Sequence, residues 1–406
     1  MQKRSVYIFT NGCPENRMDC AYVENKMREH GWMITLGAQQ ADLILFNACG
    51  LTNEAEAYSL NIIKKLKKIK KKDAKVVVWG CLPKINREHF DEDDLLIAGV
   101  NDVWHESNQV LHQTEECKNV DVNYYSDRVN DISDLYCNDV CQNVYEKIKL
   151  GVNFLSSGTL AAKILKKAHE HKKGNRETCV YTNGTFPIKI ASGCLSNCSF
   201  CAVKLSRGAL RSKPMDKVIE EFERGLKQGY KKIFLVGTDV GSYGRDMGCA
   251  LIDLLRKMIQ YDSDYEIMLR NFHPIYIIEM WPELLDILKS GKITTICSPV
   301  QSGSDQVLKR MRRGHSVSQY SDTIFALKEQ CPFLKIRTQM MVGFPGETDD
   351  DFCQTESLLK ELPFDFVEIY KFQPRLGTDA YDYEQLPQHV INKRFTRLLF
   401  MSFLNN

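Results

Sequence analysis

Three cysteines, Cys194, Cys198 and Cys201, stand in the run Ile190-Ala-Ser-Gly-Cys-Leu-Ser-Asn-Cys-Ser-Phe-Cys201. Cysteine thiolates are the usual protein ligands of iron–sulfur clusters, and a four-iron cluster offers four irons to bind. A C-x3-C-x2-C triplet holds three of them and leaves one open. An open position is what a metal site keeps when it must also bind a substrate or cofactor. Zinc is the competing reading, but structural zinc sites usually draw on two separated cysteine pairs, which this run lacks.

A second set is spread along the first part of the chain. Val6–Thr10, Leu43–Asn47 and Val76–Trp79 read as apolar strands, and each is followed at once by a cysteine: Cys13, Cys49 and Cys81. Helical stretches lie between them, and such alternation argues for a small α/β domain with a parallel sheet. In open α/β sheets ligands gather outside the carboxyl ends of the strands. Cysteine is also among the most buried residues, but three placements at equivalent points favour a second cluster over chance. One helix between these strands carries the run from Lys64 to Lys72, with Ile62, Ile63, Leu66 and Ile69 at helical spacing. It reads as an amphipathic helix with a solvated lysine face.

Farther on, six strand-like runs alternate with helical segments: Phe186–Ile190, Lys232–Gly237, Glu266–Arg270, Ile293–Ser298, Lys335–Val342 and Phe366–Phe372. They suggest an open, partial (βα)6 barrel related to the (β/α)8 architecture, whose sites sit at the C-terminal strand ends. The triplet loop follows the first of these strands. The expected organisation is an N-terminal Rossmann-like parallel-sheet domain over 1–116, a connecting region over 117–180, the barrel over 181–380 and a tail over 381–406. A helix is expected through Leu160–His169 in the connection. Cys117, Cys137 and Cys141, also there, read as reduced thiols rather than a third site.

Composition sets the class. With 43% apolar residues, the 406-residue chain can bury real cores. Fifteen cysteines and a poor candidate for a secretory signal at the N-terminus point to a reducing, cytoplasmic setting. No run approaches the length of apolar sequence that spans a membrane. The net charge is only +2, below the basic range that marks many nucleic-acid binders.

Together the two cysteine sets resemble the radical S-adenosylmethionine (SAM) methylthiotransferases, which replace a C–H bond by C–S–CH3. Tyr7-Ile-Phe-Thr-Asn-Gly-Cys13, Ala41-Asp-Leu-Ile-Leu-Phe-Asn-Ala-Cys49 followed by Glu54, and Val77-Val-Trp-Gly-Cys81 are similar to the family's N-terminal cysteine segments. Ser206-Arg-Gly-Ala-Leu-Arg-Ser-Lys-Pro214 resembles its RGxxRSRP element, with Lys213 in place of Arg. Leu235-Val-Gly-Thr-Asp-Val-Gly-Ser-Tyr-Gly-Arg-Asp246, Pro299-Val-Gln-Ser-Gly-Ser304 and Val342-Gly-Phe-Pro-Gly-Glu-Thr348 match further family motifs.

The resemblance implies two [4Fe–4S] clusters and SAM as both methyl donor and radical source. Cys194, Cys198 and Cys201 would hold the cluster that binds and cleaves SAM. Cys13, Cys49 and Cys81 would hold an auxiliary cluster whose bound sulfur is methylated and then inserted. Phe200 is expected beside the adenine, Gly237, Thr238 and Asp239 near the SAM amino group, Gln301 and Ser302 near the ribose or carboxylate, and Gly343 and Gly346 in a turn beneath the base. Arg207 and Arg211 are candidates for anion or carboxylate pairing. An electron donor such as flavodoxin or ferredoxin is implied as a partner.

Methylthiotransferases that act on tRNA usually end in an RNA-gripping TRAM module, and this sequence ends at Asn406, soon after Thr378. With the near-neutral charge, that tilts the expected acceptor toward a peptide or small biosynthetic intermediate, since phosphate contacts supply much of nucleic-acid affinity. The alternative is a tRNA adenosine near the anticodon. A further alternative is an auxiliary cluster used for electron transfer. That role favours four cysteine ligands, and Cys20 is the nearest spare one.

Overall fold

The computed structural model describes residues 4–90, 96–97 and 184–405. The connecting region, with Leu160–His169, Cys117, Cys137 and Cys141, and the borders expected near 116 and 180, lie outside the described residues. The described residues form two compact units. The first joins the N-terminal residues to two short stretches from much later, Cys201–Ala209 and Arg375–Thr378; the second takes the remainder of the later chain.

The first unit is a five-stranded sheet in the order β2-β1-β3-β4-β5, comprising β1 (Ser5–Thr10), β2 (Met33–Ile34), β3 (Leu43–Ala48), β4 (Lys75–Gly80) and β5 (Leu96–Ile97). All its pairings are parallel. Alternation along the strands divides the apolar residues between two faces. Val6, Ile8, Leu45, Val77 and Trp79 meet Val23 and Met27 of α1 (Pro14–Glu29). Phe9, Ile44, Phe46, Val76 and Val78 meet Ile62, Ile63 and Leu66 of α2 (Asn53–Ile69). Helix α2 starts where the Thr52 hydroxyl accepts the Ala55 N–H at 3.1 Å, an N-cap, with Glu54 and Glu56 in the first turn. The lysine-bearing helix thus forms as expected, except that Ile69 in its last turn is 43% exposed rather than part of the apolar face.

The second unit is built on a six-stranded parallel sheet in the order β13-β12-β11-β10-β9-β6. Its strands are β6 (Thr185–Lys189), β9 (Lys232–Val236), β10 (Glu266–Leu269), β11 (Ile293–Cys297), β12 (Lys335–Val342) and β13 (Phe366–Lys371). These are the six expected runs: β12 has the expected bounds, β6 is shifted one residue toward the N-terminus, and the other four end one residue early. The β7–β8 pair, Ala191–Ser192 with Arg211–Ser212, is a small antiparallel ribbon beside the first strand. Ile188, Ile233, Leu235, Ile267, Leu269, Ile336, Met340 and Val367 carry the sheet side of one large core, packed against helical residues such as Val218, Phe222, Leu255 and Leu288. Among the described residues no helix is long and apolar enough to cross a membrane.

Phe222 is fully buried, with the rings of Tyr261 and Tyr265 edge-on at 5.2 and 5.1 Å. Phe222→Ala should cost this unit about 3–5 kcal/mol. Denaturant unfolding would show that as a lowered midpoint with an unchanged slope; a cost under about 1 kcal/mol would mean the site collapses around the cavity.

Candidate metal centres

In the first unit the three expected cysteines stand just past the C-terminal ends of neighbouring parallel strands. Cys13 follows β1 and precedes Pro14, the first residue of α1. Cys49 follows β3, and its N–H donates to Asn11 Oδ1 at 2.9 Å. Its carbonyl accepts from Ser59 Oγ at 2.7 Å, and Ser59 Oγ in turn accepts from Asn11 Nδ2 at 2.8 Å. Cys81 follows Gly80 and starts the short α3 (Leu82–Ile85). Its N–H donates to the Ala48 carbonyl at 3.0 Å, so the ladder between β3 and β4 runs on to the cysteine itself.

The side chain of Asn16 joins these loops. Its Oδ1 lies 3.4 Å from Cys13 Sγ and 3.8 Å from Cys81 Sγ. Its Nδ2 donates to Asn47 Oδ1 at 2.6 Å, and Asn47 Nδ2 returns a bond to the Asn16 carbonyl at 3.3 Å. Cys13 is exposed, while Cys49 and Cys81 are buried. Burial pushes the Cys49 thiol up to about 12, and the neighbouring Cys81 and Cys13 sulfurs add to the rise. A cationic iron–sulfur core reverses that preference, because a coordinating thiol is deprotonated outright. The donors are all thiols, the set that suits such clusters. Among the described residues no three metal-ligating side chains close on a single point. A four-iron cluster would not require them to, since each cysteine would bind a different iron.

Cys20, the spare cysteine, bonds the Asn47 side chain. It is buried in the hydrophobic cluster with Val23 and Met27, and its thiol donates to the Phe9 carbonyl at 3.9 Å. Arg207 and Arg211 part company. Arg207, at the end of α4 (Val203–Arg207), is deeply buried against Asn16 and Asp19 in the first unit. Arg211, in the second, is exposed.

In the second unit the triplet loop leaves β6 through β7. Gly193, at φ +74, donates its N–H to Thr238 Oγ1 at 3.1 Å. Cys194 Sγ lies 3.8 Å from Asp239 Oδ2 and accepts the Ser196 N–H at 3.3 Å. Cys198 Sγ accepts from Arg313 Nη1 at 3.5 Å, while Arg313 Nη2 donates to the Pro299 carbonyl at 2.6 Å. Cys201 opens the stretch grouped with the first unit. Thr238 and Asp239, expected near SAM, are therefore beside the first cysteine of the loop. Burial pushes the Asp239 carboxyl up to about 6, opposed by the N–H groups of His273 and Gly241 and by the Arg313 charge.

The other expected SAM residues lie at strand ends too. Gly237 directly follows β9, and its carbonyl accepts from Asn271 Nδ2 at 3.1 Å. Gln301 has φ +74, exchanges backbone bonds with Gln339 and Met341, and keeps Oε1 buried without a partner. The Ser302 hydroxyl is engaged by Thr355 Oγ1 at 3.3 Å and the Ser304 N–H at 3.1 Å. Gly343 has φ +81, and its N–H meets Glu347 Oε2 at 2.8 Å. Gly346 has φ +75, and its carbonyl accepts from Arg310 at 2.8 Å. Phe200 packs against a small cluster of Val307, Met311, Phe344, Phe372 and Ala380.

Sequence reasoning missed Arg313, His273 and His315. Burial holds His273 down at about 2 and His315 at about 4, so both rings are neutral. Their Nε2 atoms, Ser298 Oγ and Gln301 Oε1 are buried with no hydrogen-bond partner. An unmade buried hydrogen bond costs about 1–3 kcal/mol, and a polar ligand at these strand ends offsets it. The signal was present in the sequence: Asn271–His273 and Ser298–Gln301 occupy the same place after their strands as Gly237–Asp239.

Comparison with known proteins bears on this geometry. Residues 5–100 match the model of the uncharacterized protein family UPF0004, and residues 188–359 match that of the radical SAM superfamily. The chain is 32% identical over 408 residues to the threonylcarbamoyladenosine tRNA methylthiotransferase of Danio rerio, covering 99% of this chain and 67% of that protein. The chain belongs to the radical SAM methylthiotransferase family. The cofactors of this family member are SAM and two [4Fe–4S] clusters. The corresponding mouse protein is 32% identical over 394 residues, 96% of this chain, which spans 61% of that relative's length. A probable threonylcarbamoyladenosine tRNA methylthiotransferase of Pyrococcus horikoshii is 28% identical, with 97% of this chain and 82% of that one covered. Among solved structures, the radical SAM methyltransferase TsrM of Kitasatospora setae superposes with a TM-score of 0.59 over 93% of this chain and 75% of its own, at 12% identity. That likeness concerns the fold.

Gly80 tests the tightness of the three-cysteine site. It has φ +94, and a Cβ there would stand 2.2 Å from Asn47 Oδ1. Gly184 has φ +89 with nothing within 4 Å of such a Cβ. Both Gly→Ala changes carry backbone strain of about 1–3 kcal/mol, read as a lowered Tm. Only Gly80→Ala should also lower the iron and sulfide retained after reconstitution. Equal retention by the two variants would show that Asn47 does not brace the cysteines.

Proposed function

We propose that this protein is a tRNA methylthiotransferase acting on an adenosine that already bears a threonylcarbamoyl group. The observation that carries this reading is the 32% identity to the zebrafish enzyme along 99% of the chain, joined to two cysteine sets at parallel-strand ends. Relatives from an archaeon and a mammal bear the same name. They favour the tRNA alternative over the peptide or small-molecule acceptor that the near-neutral charge suggested.

In this reading Cys194, Cys198 and Cys201 hold the cluster that binds SAM, and Cys13, Cys49 and Cys81 hold the auxiliary one. When bound, these cofactors supply the hydrogen abstraction, the sulfur and the methyl group. The chain supplies placement and environment. Arg313 donates to Cys198 Sγ and is itself fixed by the Pro299 carbonyl. Thr238 and Asp239 brace the other end of the same loop. The buried Gln301 Oε1 and the neutral His273 and His315 present polar atoms to SAM. Phe200 and Gly343 shape the space for the base. The sequestered Cys20 supports a three-cysteine auxiliary site, and with it sulfur insertion over electron transfer. Flavodoxin or ferredoxin is the proposed electron donor, in a cytoplasmic setting.

The test is mass spectrometry of nucleosides from total tRNA of the parent organism and of a strain deleted for this gene. The methylthio derivative of threonylcarbamoyladenosine should vanish on deletion, return with the intact gene, and stay absent with Cys194→Ala. Its persistence in the deletion strain, with no second enzyme of this family present, would remove tRNA as the acceptor.

A further inference from the structure

Two arginines from late in the chain complete the first unit. Arg375 serves the Cys49 side: Nη2 donates to the Gly50 carbonyl at 2.5 Å, Nη1 donates to Asn53 Oδ1 at 2.7 Å, and the guanidinium pairs with Glu56. Glu56 also holds His89 at 2.7 Å. Arg375 thus pins the turn after Cys49, and its charge is matched by a carboxylate.

Arg207 is placed otherwise. Its side chain is 1% exposed. Nη1 donates to Asp19 Oδ2 at 2.8 Å and lies 3.1 Å from Glu15 Oε1. Nη2 donates to Asn16 Oδ1 at 2.6 Å, the atom that stands 3.4 Å from Cys13 Sγ and 3.8 Å from Cys81 Sγ. One amide oxygen therefore separates a buried cation from two of the three cysteines. Asp19 binds the opposite nitrogen of the guanidinium, away from that contact.

We propose that Arg207 is a positioning residue of the auxiliary site, locking Asn16 against Cys13 and Cys81 and setting by its charge the reduction potential of the cluster they hold. The inference rests on the assignment of that cluster to Cys13, Cys49 and Cys81. The potential of an iron–sulfur cluster responds to nearby charge, to hydrogen bonds at its sulfurs and to solvent exposure. A buried cation favours the form that has gained an electron, and the low-dielectric surroundings strengthen its effect. Loss of Arg207 should therefore make the cluster harder to reduce.

The experiment uses the full-length protein carrying Cys194→Ala, Cys198→Ala and Cys201→Ala, reconstituted anaerobically with iron and sulfide so that only the auxiliary cluster is measured. Iron content, the EPR spectrum of the reduced cluster and the midpoint potential are compared. Arg207→Gln alone strands two carboxylates in the interior, so it is combined with Asp19→Asn. The double variant should show a more negative potential and an altered EPR spectrum, while Arg207→Lys, which keeps the charge, should stay near the parent potential. A double variant that titrates like the parent overturns the inference. So does Arg207→Lys shifted to a clearly more negative potential, a comparison that stands even where the double variant does not fold. Cys13→Ala in the same background separates the two levels: a cluster that survives it refutes the ligand assignment, whereas a cluster lost with Cys13 but indifferent to Arg207 refutes this inference alone.

Discussion

The reciprocal pair of hydrogen bonds between Asn16 and Asn47 is the constraint on which the first unit's site depends. Asn16 sits in the first turn of α1 and Asn47 near the end of β3. Their mutual bonds, 2.6 and 3.3 Å long, fix the helix start against the sheet. Two glycines make the arrangement possible, since a Cβ at Gly12 would stand 2.5 Å from Asn16 Nδ2 and one at Gly80 2.2 Å from Asn47 Oδ1. Buried amides are expensive unless satisfied. This pair is satisfied internally, which leaves Asn16 Oδ1 in a defined place beside two thiols.

The second unit reaches a comparable result by other means. Its triplet loop has little regular structure of its own and is held from outside by Thr238 and Asp239, just past β9, and by Arg313, which follows the helix Asp305–Arg310. Positive φ at the non-glycine residues Asn271, Gln301 and Arg312 belongs to the same set of loops. Backbone strain of this kind persists only where the surroundings over-determine it. Here those surroundings are the ends of six parallel strands.

Much of this was legible in the sequence, for identifiable reasons. Strands buried on both faces in parallel sheets read as continuous apolar runs, so β1, β3, β4 and the six strands of the second unit stood out. The two-residue strands β2 and β5 carry too little pattern to detect. The cysteines were found because their spacing is chemistry rather than packing. Arg313 and His315 escaped because a single buried charge or imidazole leaves no periodic trace, and His273 because its place just past β10 gains meaning only beside Asp239, which the topology brings to it. Arg207 reads in the sequence only as a candidate for anion or carboxylate pairing, and its partners Glu15, Asn16 and Asp19 are too remote in sequence to be named there. The acceptor was the weakest expectation, because net charge describes the whole surface and not one cleft.

The first unit includes Arg375, near the far end of the polypeptide, and this sets an order in time. Chains emerge from the ribosome N-terminus first, and domains generally fold as they appear. The N-terminal sheet can collapse on its own apolar faces early, but Arg207 arrives only after β6, and Arg375 only after all six strands of the second unit's sheet have been made. Until then the Gly50 turn lacks the Arg375 clamp, and Asn16, Glu15 and Asp19 lack Arg207. Contacts of such long sequence separation form late and slowly. The three N-terminal thiols are thereby synthesised well before either arginine that braces their loops, and the loops reach their final form only when those later residues have joined the first unit.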